Sequence, residues 1–245
     1  MTDVVMNCKN CNSEVAQNFC PNCGRAANAA RIDGLYILSE IGKVFQLEKG
    51  IFYTIRELIM RPGRSIRDFL AGDRDKLIKP LTFVIITSVI YSLFNRLTRF
   101  EDMYIADMGL EQTEAVTVSV MRFIQGNYEY ANILAGFFIA FWNKLLFRKY
   151  QFNFFEILIL CCYVVGMFML IYFVFAVLQV VMKFNFIEIA TVIGTFYSTW
   201  AMGQFFDGKR IVNYVKAFFA YILGFISFIV VASIIGVIVF ILFKP

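Results

Sequence analysis

Residues 154–182 read FFEILILCCYVVGMFMLIYFVFAVLQVVM, and Glu156, near the start, is the only charged side chain among them. As a helix this run would be about 44 Å long, more than the roughly 30 Å hydrocarbon core of a bilayer. Working outward, four further apolar runs lie at about 80–97, 130–147, 187–206 and 214–243. The first is short and reaches Leu97 with Arg96 snorkelling. The pattern predicts an all-α membrane protein: a five-span helical bundle carrying a small N-terminal four-cysteine zinc ribbon and interfacial amphipathic helices.

Composition supports that class. Of 245 residues, 60% are hydrophobic and 17% charged, and 29 are phenylalanine. Soluble globular domains average about 45–50% apolar and about 25% charged. Histidine is absent, which excludes Ser–His and Cys–His catalysis, His metal ligands and His-ligated haem. The net charge of +5 does not imply a nucleic-acid partner. The N-terminus lacks a basic segment followed by a long apolar core, so no secretory signal is expected.

The distribution of cations sets an orientation. Threading five spans from a cytoplasmic N-terminus puts Arg96, Arg99, Arg122, Lys183 and Lys244 outside and the other lysines and arginines inside. The positive-inside rule then favours N-terminus in and C-terminus out, in a bacterial inner membrane. The outer segment 99–129 is acidic, and Ile105, Met108, Val116, Val120 and Phe123 suggest a short helix on the outer surface.

Two Cys-x-x-Cys pairs, Cys8/Cys11 and Cys20/Cys23, stand eight residues apart. Four thiolates from two tight turns suit tetrahedral zinc, and four cysteine ligands leave no open position for catalysis. Iron in a rubredoxin-like site is the alternative metal. A cytoplasmic location disfavours disulfides. So short a segment buries little, so bound metal would supply most of its folding energy. Domains are expected at 1–30 (zinc ribbon), 31–79 (basic amphipathic connector) and 80–245 (membrane bundle).

Within the connector, 34–47 and 50–60 read as short helices, the second with Ile51, Phe52, Ile55, Leu58 and Ile59 on one apolar face. Pro62 and Gly63 break it, and Ser65 with Asp68 three residues on would cap the next. Arg56, Arg61, Arg64, Arg67, Arg74, Lys76 and Lys79 would lie at headgroup depth, where each adds about 1 kcal/mol of attraction to an anionic leaflet. They either contact lipid headgroups or a partner, or simply set topology.

The cysteine quartet, Arg61-Pro-Gly-Arg64, Ile66-Arg67-Asp68-Phe69-Leu70-Ala71-Gly72 and Lys79-Pro80-Leu81 together resemble an uncharacterised bacterial family of zinc-ribbon integral membrane proteins. The resemblance spans residues 8–95 and implies no activity. The later spans, with Phe154-Phe155-Glu156 opening the third, are similar in layout to the Yip-type five-span membrane proteins.

Inside the spans, Ala190, Gly194 and Ser198 form a small-residue row beside Thr191, Thr195 and Thr199, and Ala220, Gly224, Ala232 and Gly236 repeat it. Such rows allow close helix approach, so spans four and five should pack on each other or on span three. Cys161 and Cys162 read as inert packing residues. Glu156 is the one candidate polar site, positioned to pair with Lys144, Arg148 or Lys149. Ionisable groups are nearly missing from the mid-membrane region, where carriers usually place them, and nothing converges for acid–base chemistry.

The expected function is therefore a non-enzymatic membrane protein whose cytoplasmic zinc module docks a protein partner and scaffolds or regulates membrane partners. The alternative is a transporter or lipid-handling protein with a groove between spans.

Overall fold

The structure, a computed structural model, describes residues 6–7, 11, 13–15, 21–23, 50–98, 124 and 126–243. The chain divides into two compact units, 1–48 and 49–245. In the first, strands β1 (Met6–Asn7) and β2 (Glu14–Val15) pair antiparallel, Met6 with Val15 and Asn7 with Glu14. The helix expected over 34–47 and the one on segment 99–129 lie outside the described residues, apart from a few positions at the end of the latter.

The second unit holds seven α-helices among its described residues: α1 Ile51–Met60, α2 Pro62–Leu70, α3 Pro80–Thr98, α4 Tyr128–Leu146, α5 Phe154–Met182, α6 Ile187–Asp207 and α7 Ile211–Phe243. All five apolar runs are helical, within three residues of the bounds read from sequence. Three are long and apolar enough to cross a membrane: α3, α5 and residues 211–236 of α7. In α4 the apolar stretch is the shorter Tyr130–Leu146. In α6 the threonines, glycines and Gln204 dilute an otherwise sufficient length.

The bundle hides polar groups and displays apolar ones. On α3 the buried stripe includes Thr87, Ser88, Ser92 and Asn95, while Leu81, Ile85, Val89, Leu93 and Leu97 are exposed at four-residue intervals. Asn132 of α4 donates to the buried Ser88 hydroxyl at 2.9 Å. Ile189, Val192, Ile193 and Phe196 are exposed on α6 as well. In water such stripes would be a large exposed apolar patch; in lipid they are the solvent-facing surface.

The small-residue rows act as packing surfaces. A Cβ on Gly194 would lie 2.6 Å from the Phe168 ring of α5, and one on Gly224 would lie 2.6 Å from the Ile139 Cα of α4. Span four thus packs on spans three and five as expected, and span five packs also on span two.

One end of the bundle gathers the starts of α3, α5 and α7 and the ends of α4 and α6. Tyr163 of α5 donates to the Ile78 carbonyl before α3 at 2.6 Å, and Lys216 of α7 to the Leu146 carbonyl of α4 at 3.3 Å. Among the described lysines and arginines, only Arg96 and Lys183 belong to the opposite end. Arg96 donates to the Gly126 carbonyl there, at 2.6 Å.

Candidate functional site

The connector is fastened to the basic end by a small set of contacts. The chain breaks at Arg61 (φ −150°, ψ 58°), and Pro62 starts α2 at its first position, where a missing N–H costs nothing. Ser65 therefore sits inside α2 and does not cap it. Its hydroxyl donates instead to Glu57 at 2.9 Å. Arg61 grips the same carboxylate with two N–H groups, at 2.6 and 3.0 Å. The hydrogen bond from Arg61 holds the Glu57 carboxyl below its ordinary range against the opposing effect of burial, with help from Ser65. The pairing in turn raises Arg61.

Gly63 sets how close α2 comes to α6. A Cβ there would lie 2.4 Å from the Gln204 carbonyl carbon and 2.6 Å from Phe205 N. This contact lets Arg67 reach the last turn of α6, where its Nη1 donates to the carbonyls of Gln204 and Phe205, both at 2.7 Å. That turn has no basic residue of its own, so Arg67 supplies the cation that the negative helix end favours. Tyr197 of α6 donates to the Leu58 carbonyl of α1 at 3.0 Å. The Ile78 N–H donates to buried Thr54 at 3.0 Å, and the Phe69 ring packs edge-on against Tyr163 at 5.8 Å.

The buried face of α1 is therefore Ile51, Thr54, Glu57 and Leu58. Phe52 and Ile59, expected on that face, point away and are 83% and 55% exposed, beside Met60. The helix has two apolar sides, one against the bundle and one free.

A cleft of about 730 Å³ lies beside this fastening, lined by Arg64 and Arg67 from α2, Tyr150 and Phe152 from the α4–α5 connection, and residues 204–209 and Tyr214 around the α6–α7 turn. Phe152, Phe205 and Phe206 of the lining belong to an aromatic cluster: Phe152 meets Phe205 at 4.7 Å, and the buried Phe147 stacks on Phe206 at 3.8 Å. A second, much smaller pocket of about 60 Å³ lies among Tyr53, Glu57, Arg61, Ser65, Asp68, Asp73, Lys76 and Leu77.

The structure separates the connector cations by role. Arg61 and Lys76 are taken up by Glu57 and Asp73, at 2.6 and 2.5 Å. Arg67 binds carbonyls, and Arg64 faces the cleft with Asp68 at 3.7 Å. Arg56, Arg74 and Lys79 are exposed.

Glu156 does not pair with Lys144, Arg148 or Lys149. It closes a capping box at the start of α5: it accepts from Asn153 N–H at 2.7 Å, while its own N–H donates to Asn153 Oδ1 at 2.9 Å. Lys144 donates to the Phe152 carbonyl at 2.6 Å. Cys161 and Cys162 are buried in the core. Of the proposed metal ligands, Cys8 and Cys20 lie outside the described residues. Cys11 is 2.9 Å from the Ser13 hydroxyl, and Cys23 lies in a turn with Pro21 and Asn22. Among the described residues, no three histidine, cysteine, aspartate or glutamate side chains converge.

Sequence reading did not single out Gly63 as a packing contact, nor Lys209, Tyr150 and Tyr214 as cleft residues. The adjacent Pro62-Gly63 signalled a special backbone position. Lys209 was legible only as a topology charge.

The family described as a protein of unknown function (DUF3667) matches residues 48–92. That stretch contains α1, α2 and the fastening residues Glu57, Arg61, Gly63, Ser65 and Arg67. No curated protein and no solved structure matches the chain.

Proposed function

We propose that this is a non-enzymatic integral membrane protein of five spans, in a bacterial inner membrane with N-terminus in and C-terminus out. Its zinc-bound head, held by Cys8, Cys11, Cys20 and Cys23, captures a protein partner on the cytoplasmic side. The connector helices α1 and α2 rest on anionic lipid. The carrying observation is the fastening itself: Gly63, Arg67 and Tyr197 tie α1 and α2 to α6, as an anchored docking module requires.

Other observations support parts of this reading. The exposed apolar stripes on α4 and α6 suit lipid, with a shorter apolar stretch in α4 and a more polar composition in α6 than in the other three spans. The free apolar side of α1 suits an interfacial helix. The first cysteine pair falls, by sequence, between the two strands of a hairpin, a position that suits a thiolate metal knuckle. A transport reading calls for a groove reaching Glu156 or the threonine row; neither described pocket is lined by those residues.

The test uses the intact protein. Metal analysis should find one zinc per chain. Cys20→Ala with Cys23→Ala should abolish zinc and partner capture while leaving membrane insertion intact; unchanged capture counts against the docking role. In sealed vesicles of known orientation, an impermeant thiol reagent should reach Cys8 and an introduced Pro245→Cys from opposite sides. Labelling from one side overturns the five-span topology.

A further inference from the structure

We propose that the cleft between α2 and the α6–α7 turn is a binding site for a phosphate group, supplied by an anionic phospholipid headgroup. The inference rests on the membrane reading above and names the ligand of one place within it.

The charges around this cleft do not cancel. Arg61 and Lys76 each have a carboxylate within 2.6 Å and are electrostatically spent. Arg64 enters the cleft with only a loose, exposed contact to Asp68, 3.7 Å away. Lys209, from the α6–α7 turn, also lines the cleft, with no carboxylate partner for its ammonium among the described residues. Asp207, the one carboxylate among the described lining residues, is paired with Arg210 at 3.1 Å. The surplus within the cleft is therefore positive.

Arg67 adds preorganisation. Two carbonyls hold its Nη1. A guanidinium has five N–H donors in a fixed plane, so donors remain beside the cleft on a group that is already oriented. The walls are likewise fixed. Tyr150 accepts from buried Asn213 at 2.7 Å, which leaves its own O–H to donate. Tyr214 donates to the Gly208 carbonyl at 3.1 Å and packs where a Cβ on Gly203 would stand.

Size and surroundings indicate the source. About 730 Å³ lies within the range of small-molecule sites and accommodates a glycerophosphate headgroup. Tyrosines, phenylalanines and cations in one lining match the amphipathic character of the headgroup layer. Basic pockets between helices on the cytoplasmic side are a known place for such lipids.

The experiment follows thermal unfolding of the intact protein in uncharged detergent. Short-chain phosphatidylglycerol, short-chain phosphatidylcholine and inorganic phosphate are added separately. Phosphatidylglycerol should raise the midpoint saturably, and phosphatidylcholine should not. Arg64→Gln and Lys209→Gln should each weaken the apparent affinity about fivefold, and together about 25-fold, without moving the lipid-free midpoint. Arg148→Gln, exposed at the same end but outside the lining, should leave affinity unchanged.

Equal protection by inorganic phosphate, with the same dependence on Arg64 and Lys209, supports the phosphate site and assigns it a soluble source. No saturable protection overturns the proposal, as does an effect of Arg148→Gln matching that of Arg64→Gln, which would mean diffuse surface attraction. Release of the protein from membranes by alkaline carbonate is a separate result and would count against the membrane reading itself.

Discussion

Gly63→Ala adds one methyl group at the place where α2 lies on the backbone of α6. The new Cβ would start 2.4 Å from the Gln204 carbonyl carbon, and 3.4 Å is the near edge of ordinary contact. The neighbours are main-chain atoms inside a helix and cannot swing aside, so α2 must retreat by about 1 Å. Overpacking of this kind costs about 1–3 kcal/mol. The same retreat stretches both 2.7 Å bonds from Arg67 beyond hydrogen-bonding range, at about 1 kcal/mol each. Alanine's better helix propensity returns about 1 kcal/mol. The net loss is about 2–4 kcal/mol, which lowers the unfolding midpoint by about 5–15 °C for a chain of this size.

Tryptophan fluorescence from Trp142 and Trp200 on heating in mild detergent would report the shift, and trypsin should cut sooner after Arg64 and Arg67. The paired control is Gly136→Ala in α4, whose Cβ would meet only Cys161 Cβ at 3.8 Å. It should be neutral or stabilising by up to about 1 kcal/mol. If Gly63→Ala behaves like Gly136→Ala, α2 does not seat on α6 as described.

Two further outcomes follow from the same region. Arg61 and Ser65 hold the Glu57 carboxyl low, so its contribution to stability is present above the ordinary carboxylate value and fades as pH falls through the folded-state value. The midpoint should therefore drop below about pH 4.5, and Glu57→Gln should flatten that acid limb while lowering the neutral-pH midpoint. An acid limb unchanged by the substitution would assign it to other carboxylates. Tyr163→Phe removes only the hydroxyl that donates to the Ile78 carbonyl, leaving a buried acceptor unsatisfied at a cost of about 1–3 kcal/mol; an unaltered midpoint would mean this bond does not fasten the connector.

The five long helices were legible because each apolar run is many residues long and interrupted by charge only at its ends. Local signals in the connector were only half legible. Pro62 was read as a breaker, and the break falls one residue earlier because proline is well suited to a helix's first position. That shift moved Ser65 from a cap to a partner of Glu57. Periodicity puts Phe52 and Ile59 on one apolar face with Ile51, Ile55 and Leu58, but it does not show that this face divides into a side against the bundle and a free side. The cations were legible as a group, but their roles depended on distant partners. Nothing within the connector reveals that Arg67 completes α6, or that Arg64 and Lys209 line one cleft. Glu156 was read as an ion-pairing residue, although Asn153-x-x-Glu156 is the spacing of a reciprocal cap.

The bond between Arg67 and Gln204 joins residues 137 positions apart. At ribosomal rates of about 5–20 residues per second, roughly 7–27 s separate the synthesis of its two ends. For that interval the emerging connector has no α6 to receive it, and Gly63 faces no neighbour. The Arg61–Glu57–Ser65 contacts lie within eight residues and can form at once. They would hold the α1–α2 corner in shape on the nascent chain while it waits for the fourth apolar helix, so the order of translation is matched by an order of fastening, local first and remote last.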